Sequence, residues 1–288
     1  FKKIGIVITH LGVILLLIGG GITAWFSSEG NMIIEEGETS NYIIDLFSKE
    51  LIFINSEDLE YDEIIVIDDK LLKAGNQILN NKIPFGIRII DYHLNCEPIK
   101  RVNIPHDNYK GLARNFHLRE LPLEKDIEMN RTGITFEVYS LDGKSYNIYS
   151  LFLGQQINQT LKINDRDYSV AIRRKRTYLP FSLKLNKFKK VLHPGTQIAK
   201  SFSSDILLLD EDIARPVLIK MNEPLRYMNY TFYQSSFSEG ANRDTSILAV
   251  VKNYGRLFPY ISSLTISLGL LIHMLLRFPS IFRRKKGN

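Results

Sequence analysis

Two long apolar segments, one near each end, constrain this chain more than any other feature. The first runs from Ile4 to about Trp25 and the second from about Leu257 to Phe278. As helices each would be about 33 Å long, which matches the hydrocarbon thickness of a bilayer. The first is too long for the apolar region of a signal peptide, and no A-x-A-like cleavage site follows it. Trp25 stands at its outer end, where an interfacial anchor belongs. Both segments therefore read as retained membrane spans, with everything between them folded outside the bilayer.

Charge gives the orientation. All 31 acidic residues fall within 28–256, whereas Lys2, Lys3, Arg277, Arg283, Arg284, Lys285 and Lys286 lie outside it. The flanks are purely basic and the middle is close to neutral. The positive-inside rule then places both ends in the cytoplasm. The expected layout is a transmembrane helix with a cytoplasmic N-terminus over 1–27, an extracytoplasmic β-rich domain over 28–256, a second transmembrane helix over 257–278 and a basic cytoplasmic tail over 279–288. The basic excess belongs to the membrane flanks, so it is not a nucleic-acid surface.

The spans carry more than hydrophobicity. Gly5, Gly12 and Gly19 recur every seven residues and form one stripe, which permits close approach by another helix. His10, five residues after Gly5, lies about 140° around the axis, away from that stripe. His273 is the second intramembrane histidine, with Gly269 one turn before it. Counted from the cytoplasmic ends, both histidines fall about 8–9 Å into the membrane. An ionisable residue inside a span is a functional candidate by default. A neutral imidazole can ligate a metal or haem iron, or donate to a neighbouring helix's carbonyl. A proton relay needs carboxylates, and these spans hold none.

Between the spans the pattern is mainly β. Short apolar runs at 64–67 and 87–90 are rich in branched residues. Thr135 to Tyr139 alternates and meets Asp142-Gly143, a hairpin signal. Residues 161–172 read as another hairpin around Asn164–Arg166. Helical expectations are confined to 45–53 and 77–80. The run Ile83-Pro84-Phe85-Gly86-Ile87-Arg88-Ile89 parallels Leu179-Pro180-Phe181-Ser182-Leu183-Lys184-Leu185 at an offset of 96 residues. That suggests two related β-units of sandwich or barrel type.

No catalytic motif emerges. The chain has no HExxH, no GxSxG, no phosphate-binding glycine loop and a single cysteine, Cys96, which permits no internal disulfide. Cys96 reads as a small buried residue. His93, His106 and His117 lack ligand spacing, His193-Pro194-Gly195 is a turn, and Arg173 to Arg176 reads as a solvated strand end or a contact to an acidic partner or headgroups. Sequons at Asn130, Asn158 and Asn229 have meaning only in a eukaryotic secretory pathway.

Several separated pieces together resemble the ResB/Ccs1 family of cytochrome c biogenesis proteins. They are Leu179-Pro180-Phe181, Met221-Asn222-Glu223-Pro224-Leu225 and Tyr230-Thr231-Phe232-Tyr233-Gln234-Ser235-Ser236-Phe237. Val250-Val251-Lys252-Asn253-Tyr254-Gly255, Pro259-Tyr260-Ile261 and Gly269-Leu270-Leu271-Ile272-His273 follow. His10-Leu11-Gly12 and Glu36-Gly37-Glu38-Thr39 complete the set at the front. The resemblance implies a system II subunit that works with a multi-span ResC/CcsA-type membrane protein, carries b-type haem in transit and helps attach it to CxxCH apocytochrome c. It implies His10 as a haem axial ligand, with the other ligand from the partner protein and His273 a lesser option. The family's tryptophan-rich haem-handling motif belongs to the partner, in keeping with the single tryptophan here. Family members usually have four spans, with the domain between the third and fourth; two are expected upstream of Phe1, or the chain is a shortened variant.

The expected location is a bacterial cytoplasmic membrane with the large domain on the periplasmic face, or a plastid thylakoid membrane. The chain would be at most one subunit of a haem lyase completed by its partner. The competing reading is a non-enzymatic membrane-anchored scaffold that binds extracytoplasmic proteins, with both histidines structural. A sensor is disfavoured because only about ten residues follow the second span.

Overall fold

The computed structural model describes residues 3–56, 61–80, 83–103, 108–142, 144–155, 159–163 and 166–285. His106, Gly143, Asn158 and Asn164 lie outside them, as do the side chains of the basic tail beyond Arg277. In chain order the elements are α1 (Ile4–Phe26), β1 (Ser28–Glu35), β2 (Thr39–Asn55), β3 (Glu63–Asp68), β4 (Gln77–Leu79), β5 (Phe85–His93), β6 (Cys96–Lys100) and α2 (Leu112–Asn115). There follow β7 (Phe116–Glu120), β8 (Gly133–Ser140), β9 (Ser145–Phe152), β10 (Gln159–Ile163), β11 (Arg166–Leu192), β12 (Ala199–Asp210), β13 (Ile213–Lys220), β14 (Leu225–Tyr227), β15 (Tyr230–Ser238), β16 (Thr245–Lys252) and α3 (Phe258–Lys285). Two apolar helices thus flank a mainly β region, the architecture of a membrane protein with a folded domain between its anchors. The apolar part of α3, Phe258–Arg277, is followed by further helix to Lys285, so the helix runs past the expected end of the span.

The chain divides into two compact units. The first comprises residues 1–43 and 178–288 and the second residues 44–177. The strand order running through the first is β13-β12-β11-β2-β1-β16-β15-β14. Its sheet curls until Ser204 of β12 reaches Gln234 of β15 at 2.6 Å and Ser246 of β16 at 2.8 Å, all three side chains buried. Satisfied internally, these polar groups cost little to bury and fix the curl in one register. Around them Phe181 meets Tyr227, Tyr230 and Phe232 edge-on, with Met32, Leu183, Leu208 and Val250 completing a dry core.

The second unit has its own core. The ladders β2–β3 and β10–β11 and the sheet β4-β5-β8-β9 contribute Phe53, Phe85, Phe136, Tyr149 and Tyr168, packed mostly edge to face. Such aromatic pairs add about 0.5–1.5 kcal/mol each beyond their buried area. Both expected hairpins form, β8–β9 and β10–β11. The two apolar-Pro-Phe runs bury equivalent residues, Ile83, Phe85, Ile87 and Ile89 in one unit and Leu179, Phe181, Leu183 and Leu185 in the other.

Residues 45–53 are not helical. They belong to the 17-residue strand β2. Asp45 Oδ1 accepts from the amides of Phe47 and Ser48, the bond a helix N-cap would make, but here it closes a local turn within an extended chain. Residues 49–53 are then buried without a break, so no period of two appears. Gln77–Leu79 is likewise a strand, β4, too short to show any period and held by its ladder to β5.

Candidate functional site: the helix pair

The glycine stripe is the seam between α1 and α3. Gly5, Gly12 and Gly19 are the buried residues of α1. A Cβ placed on Gly5 would stand 2.5 Å from the His273 amide nitrogen. One on Gly12 would stand 2.6 Å from Ile266 Cγ1, and one on Gly19 would stand 2.1 Å from Phe258 Cβ. From the other side, Gly269 leaves no room for a side chain against Thr9. Glycine is required here by closeness of approach, which gives two backbones van der Waals contact where lipid offers no hydrophobic drive.

His10 lies on the opposite side of α1 and is exposed. Its Nδ1 lies 2.7 Å from the Ile6 carbonyl oxygen. A carbonyl only accepts, so Nδ1 carries the proton and, in the neutral ring, Nε2 keeps its lone pair. Exposed apolar residues surround it on that face, Val7, Leu11, Ile14 and Leu17 among them. An imidazole oriented through Nδ1–H to a backbone carbonyl is the arrangement found in histidines that ligate metals through the other nitrogen.

His273 is placed differently. Its backbone is pressed against Gly5 and its Nδ1 is buried with no hydrogen-bond partner among the described residues. Gly5 is five residues, about 7.5 Å of helix rise, from His10. The antiparallel register of the seam, Gly5 on His273 and Gly19 on Phe258, therefore removes the equal depth expected from counting residues from the ends. The two imidazoles face different surroundings, and neither is a hydrogen-bond partner of the other.

The remaining candidates have structural explanations. Arg173 Nε donates to Glu50 Oε1 at 2.7 Å, Lys175 bonds Asp68, and Arg174 Nη2 donates to the Glu128 carbonyl. The basic run is therefore tied down within its own unit; it is not a solvated cluster. The Lys175 hydrogen bond holds Asp68 down at about 2, whereas burial raises Asp69 beside it. Cys96 is buried against Gly133, and burial pushes its thiol up to about 11, so it is a poor nucleophile. His93 lies 3.9 Å from Glu120, and His117 sits in the β6–β7 ladder opposite Ile99. Among the described residues no group of three or more ligating side chains could hold a metal ion.

Most residues that carried the resemblance build the fold. Glu36 Oε1 accepts from the Phe188 amide, Gly37 takes φ of 86° while its amide reaches Leu185 O, and Glu38 O accepts from Leu185 N. Gln234 is the buried pivot of the curled sheet. Sequence reasoning did not single out Arg226 and Arg256. They line a groove where the helices meet the sheet, assembled from residues 16 to 260, so no local pattern marks it.

Comparison with known proteins places these features in a family. The model of the ResB-like family matches residues 1–66 and 143–256, which takes in α1, the first two strands and everything from β9 to the approach of α3. The chain is also 24% identical over 275 residues to the protein NrfI of Wolinella succinogenes, across 92% of this chain and 27% of that protein. It thus spans about a quarter of the length of that relative. With more than half of its residues inside the family match, including the helix that bears His10, the chain belongs to the ResB-like family.

Proposed function

We propose that this chain is the haem-handling and apocytochrome-docking subunit of a system II cytochrome c synthase, working beside a multi-span ResC/CcsA-type protein. Family membership and the likeness to NrfI support a role in cytochrome c biogenesis. The observation that carries the finer reading is the oriented, outward-facing imidazole of His10. Haem is cargo here; it supplies an iron that takes axial nitrogen ligands and vinyl groups that become thioethers with the thiols of a CxxCH segment.

The chain's own part is positional. The glycine seam gives one face of α1 to α3, which leaves the His10 face to an outside helix. The Ile6 carbonyl fixes the tautomer and aims Nε2 away from the seam. The β-rich region, on the extracytoplasmic side by the charge of the flanks, holds the apocytochrome. With Cys96 buried, the thiols of the reaction come from the apocytochrome.

The test is a visible spectrum of the chain purified with its multi-span partner. The expected result is low-spin bis-nitrogen haem bands in the wild type and their loss in His10→Ala. An unchanged spectrum in His10→Ala removes the ligand assignment. A complex with no haem at all in the wild type favours the scaffold reading.

A further inference from the structure

At the sheet end of the helix pair lies a groove of about 530 Å³. Its α1 wall runs from Leu16 through Gly20 to Ala24, about 12 Å along the helix axis. Its far side is Arg226 and Tyr233 from β14 and β15, then Arg256, Pro259 and Tyr260 at the start of α3. The groove is therefore graded along its length, apolar towards the membrane and cationic towards the sheet.

The level of its cationic end is marked independently. Trp25, Phe26, Tyr254 and Tyr260 are all largely exposed there, an aromatic girdle of the kind found where hydrocarbon meets headgroups. Thr23 and Asn253 in the wall already engage each other, since Asn253 Oδ1 accepts from Thr23 Oγ1 at 3.1 Å and from the Gly255 amide at 2.7 Å. Arg226 and Arg256 have no ion pair among the described residues. Two guanidinium forks beside an apolar channel at headgroup depth complement a phosphate attached to a hydrocarbon chain.

We propose that this groove binds one anionic phospholipid, with its phosphate taken by Arg226 and Arg256 and an acyl chain laid along Leu16, Gly20 and Ala24. This site is separate from the His10 face and does not depend on haem. Gly20 is the natural opening for the acyl chain, because a Cβ there meets nothing within 4 Å. The bound lipid would fill the wedge between the helices and the sheet and neutralise the two arginines.

The test reconstitutes the full chain into nanodiscs of equimolar phosphatidylcholine and phosphatidylglycerol, extracts it into a delipidating detergent and counts retained lipids by native mass spectrometry. One phosphatidylglycerol per chain is expected, with phosphatidylcholine lost. R226Q/R256Q should lower retention about tenfold or more, and R226K/R256K should keep most of it. Gly20→Leu, which fills the channel without touching the seam, should lower retention with both arginines intact. His10→Ala should leave it unchanged, so failure of the haem reading and failure of this one are distinguishable. The proposal is overturned if phosphatidylcholine is held equally, if Gly20→Leu retains lipid as well as the wild type, or if the arginine variants lose haem from the partner complex while keeping the lipid.

Discussion

Gly5 of α1 lies against the main chain of His273 in α3, so closely that a methyl group on Gly5 would sit 2.5 Å from the His273 amide nitrogen. The same stripe continues at Gly12, where a methyl would meet Ile266. Gly12→Val should therefore push the helices apart or strain them, lowering stability in detergent by about 1–3 kcal/mol. Gly20→Ala, where an added methyl meets nothing within 4 Å, is the control and should be neutral. Thermal unfolding of the purified variants checks the pair; equal melting of Gly12→Val and wild type would show that the seam does not form.

The two histidines predict opposite outcomes. His10 makes one bond, to its own helix, from an exposed position. His10→Ala should change stability by no more than about 0.5 kcal/mol while abolishing haem retention in the partner complex. His273 has a buried nitrogen without a partner among the described residues. His273→Leu should gain about 1 kcal/mol and keep the haem spectrum. A haem loss in His273→Leu with His10→Ala unaffected would reverse the assignment.

Glu50 and Arg173 form a nearly dry ion pair at 2.7 Å, with Glu50 only 3% exposed. Removing one partner leaves the other charge uncompensated, so Arg173→Met should cost about 3–5 kcal/mol. The double variant Glu50→Leu/Arg173→Met should recover much of that loss. Denaturant titration of the four proteins closes the cycle; additive single losses would contradict a coupled pair.

Asp68 and Asp69 set an acid limb with a defined sign. Lys175 holds Asp68 down at about 2 from 3.8, so that pair stabilises the fold above the higher value and its contribution disappears as pH falls between the two. Asp69 is raised by burial, so its charged form opposes folding at neutral pH and the opposition eases as it protonates. Asp68→Asn should flatten the loss of stability across the window from 3.8 to about 2, and Asp69→Asn should raise the melting temperature at neutral pH. Melting curves from neutral pH down to about 2 read both, and an unchanged acid slope in Asp68→Asn would mean that the Lys175 pair does not form in solution.

The sequence revealed those parts of the structure whose cause is local. Span length, the heptad of glycines and the pairing of β8 with β9 each depend on residues close together in the chain, and each appears as expected. Strand β2 was hidden because Asp45 makes a helix-like cap bond inside an extended chain, and because residues 49–53 are buried consecutively. The depth of His273 was hidden because it depends on how α3 slides against α1, a property of two helices and of neither alone. His10 could be located from angle alone, since a residue set well away from the glycine stripe cannot face the same neighbour. The groove at Arg226 and Arg256 could not, because its walls come from both helices and the β14–β15 hairpin.

The junction between membrane and sheet contains almost no slack. Ser27 alone separates α1 from β1, and Ser28 then pairs with Lys252 in a ladder that runs unbroken to Glu35 opposite Thr245. The return path into α3 is pinned by the Asn253 side chain. One turn of sliding between the helices would shift the strands by about one and a half residues, and a slip of even one residue would turn every core side chain of β1 outward. The helix pair cannot work as a piston. A displacement that keeps this register has to move the helix pair and the strands β1 and β16 joined to it together, as a tilt and not as a slide.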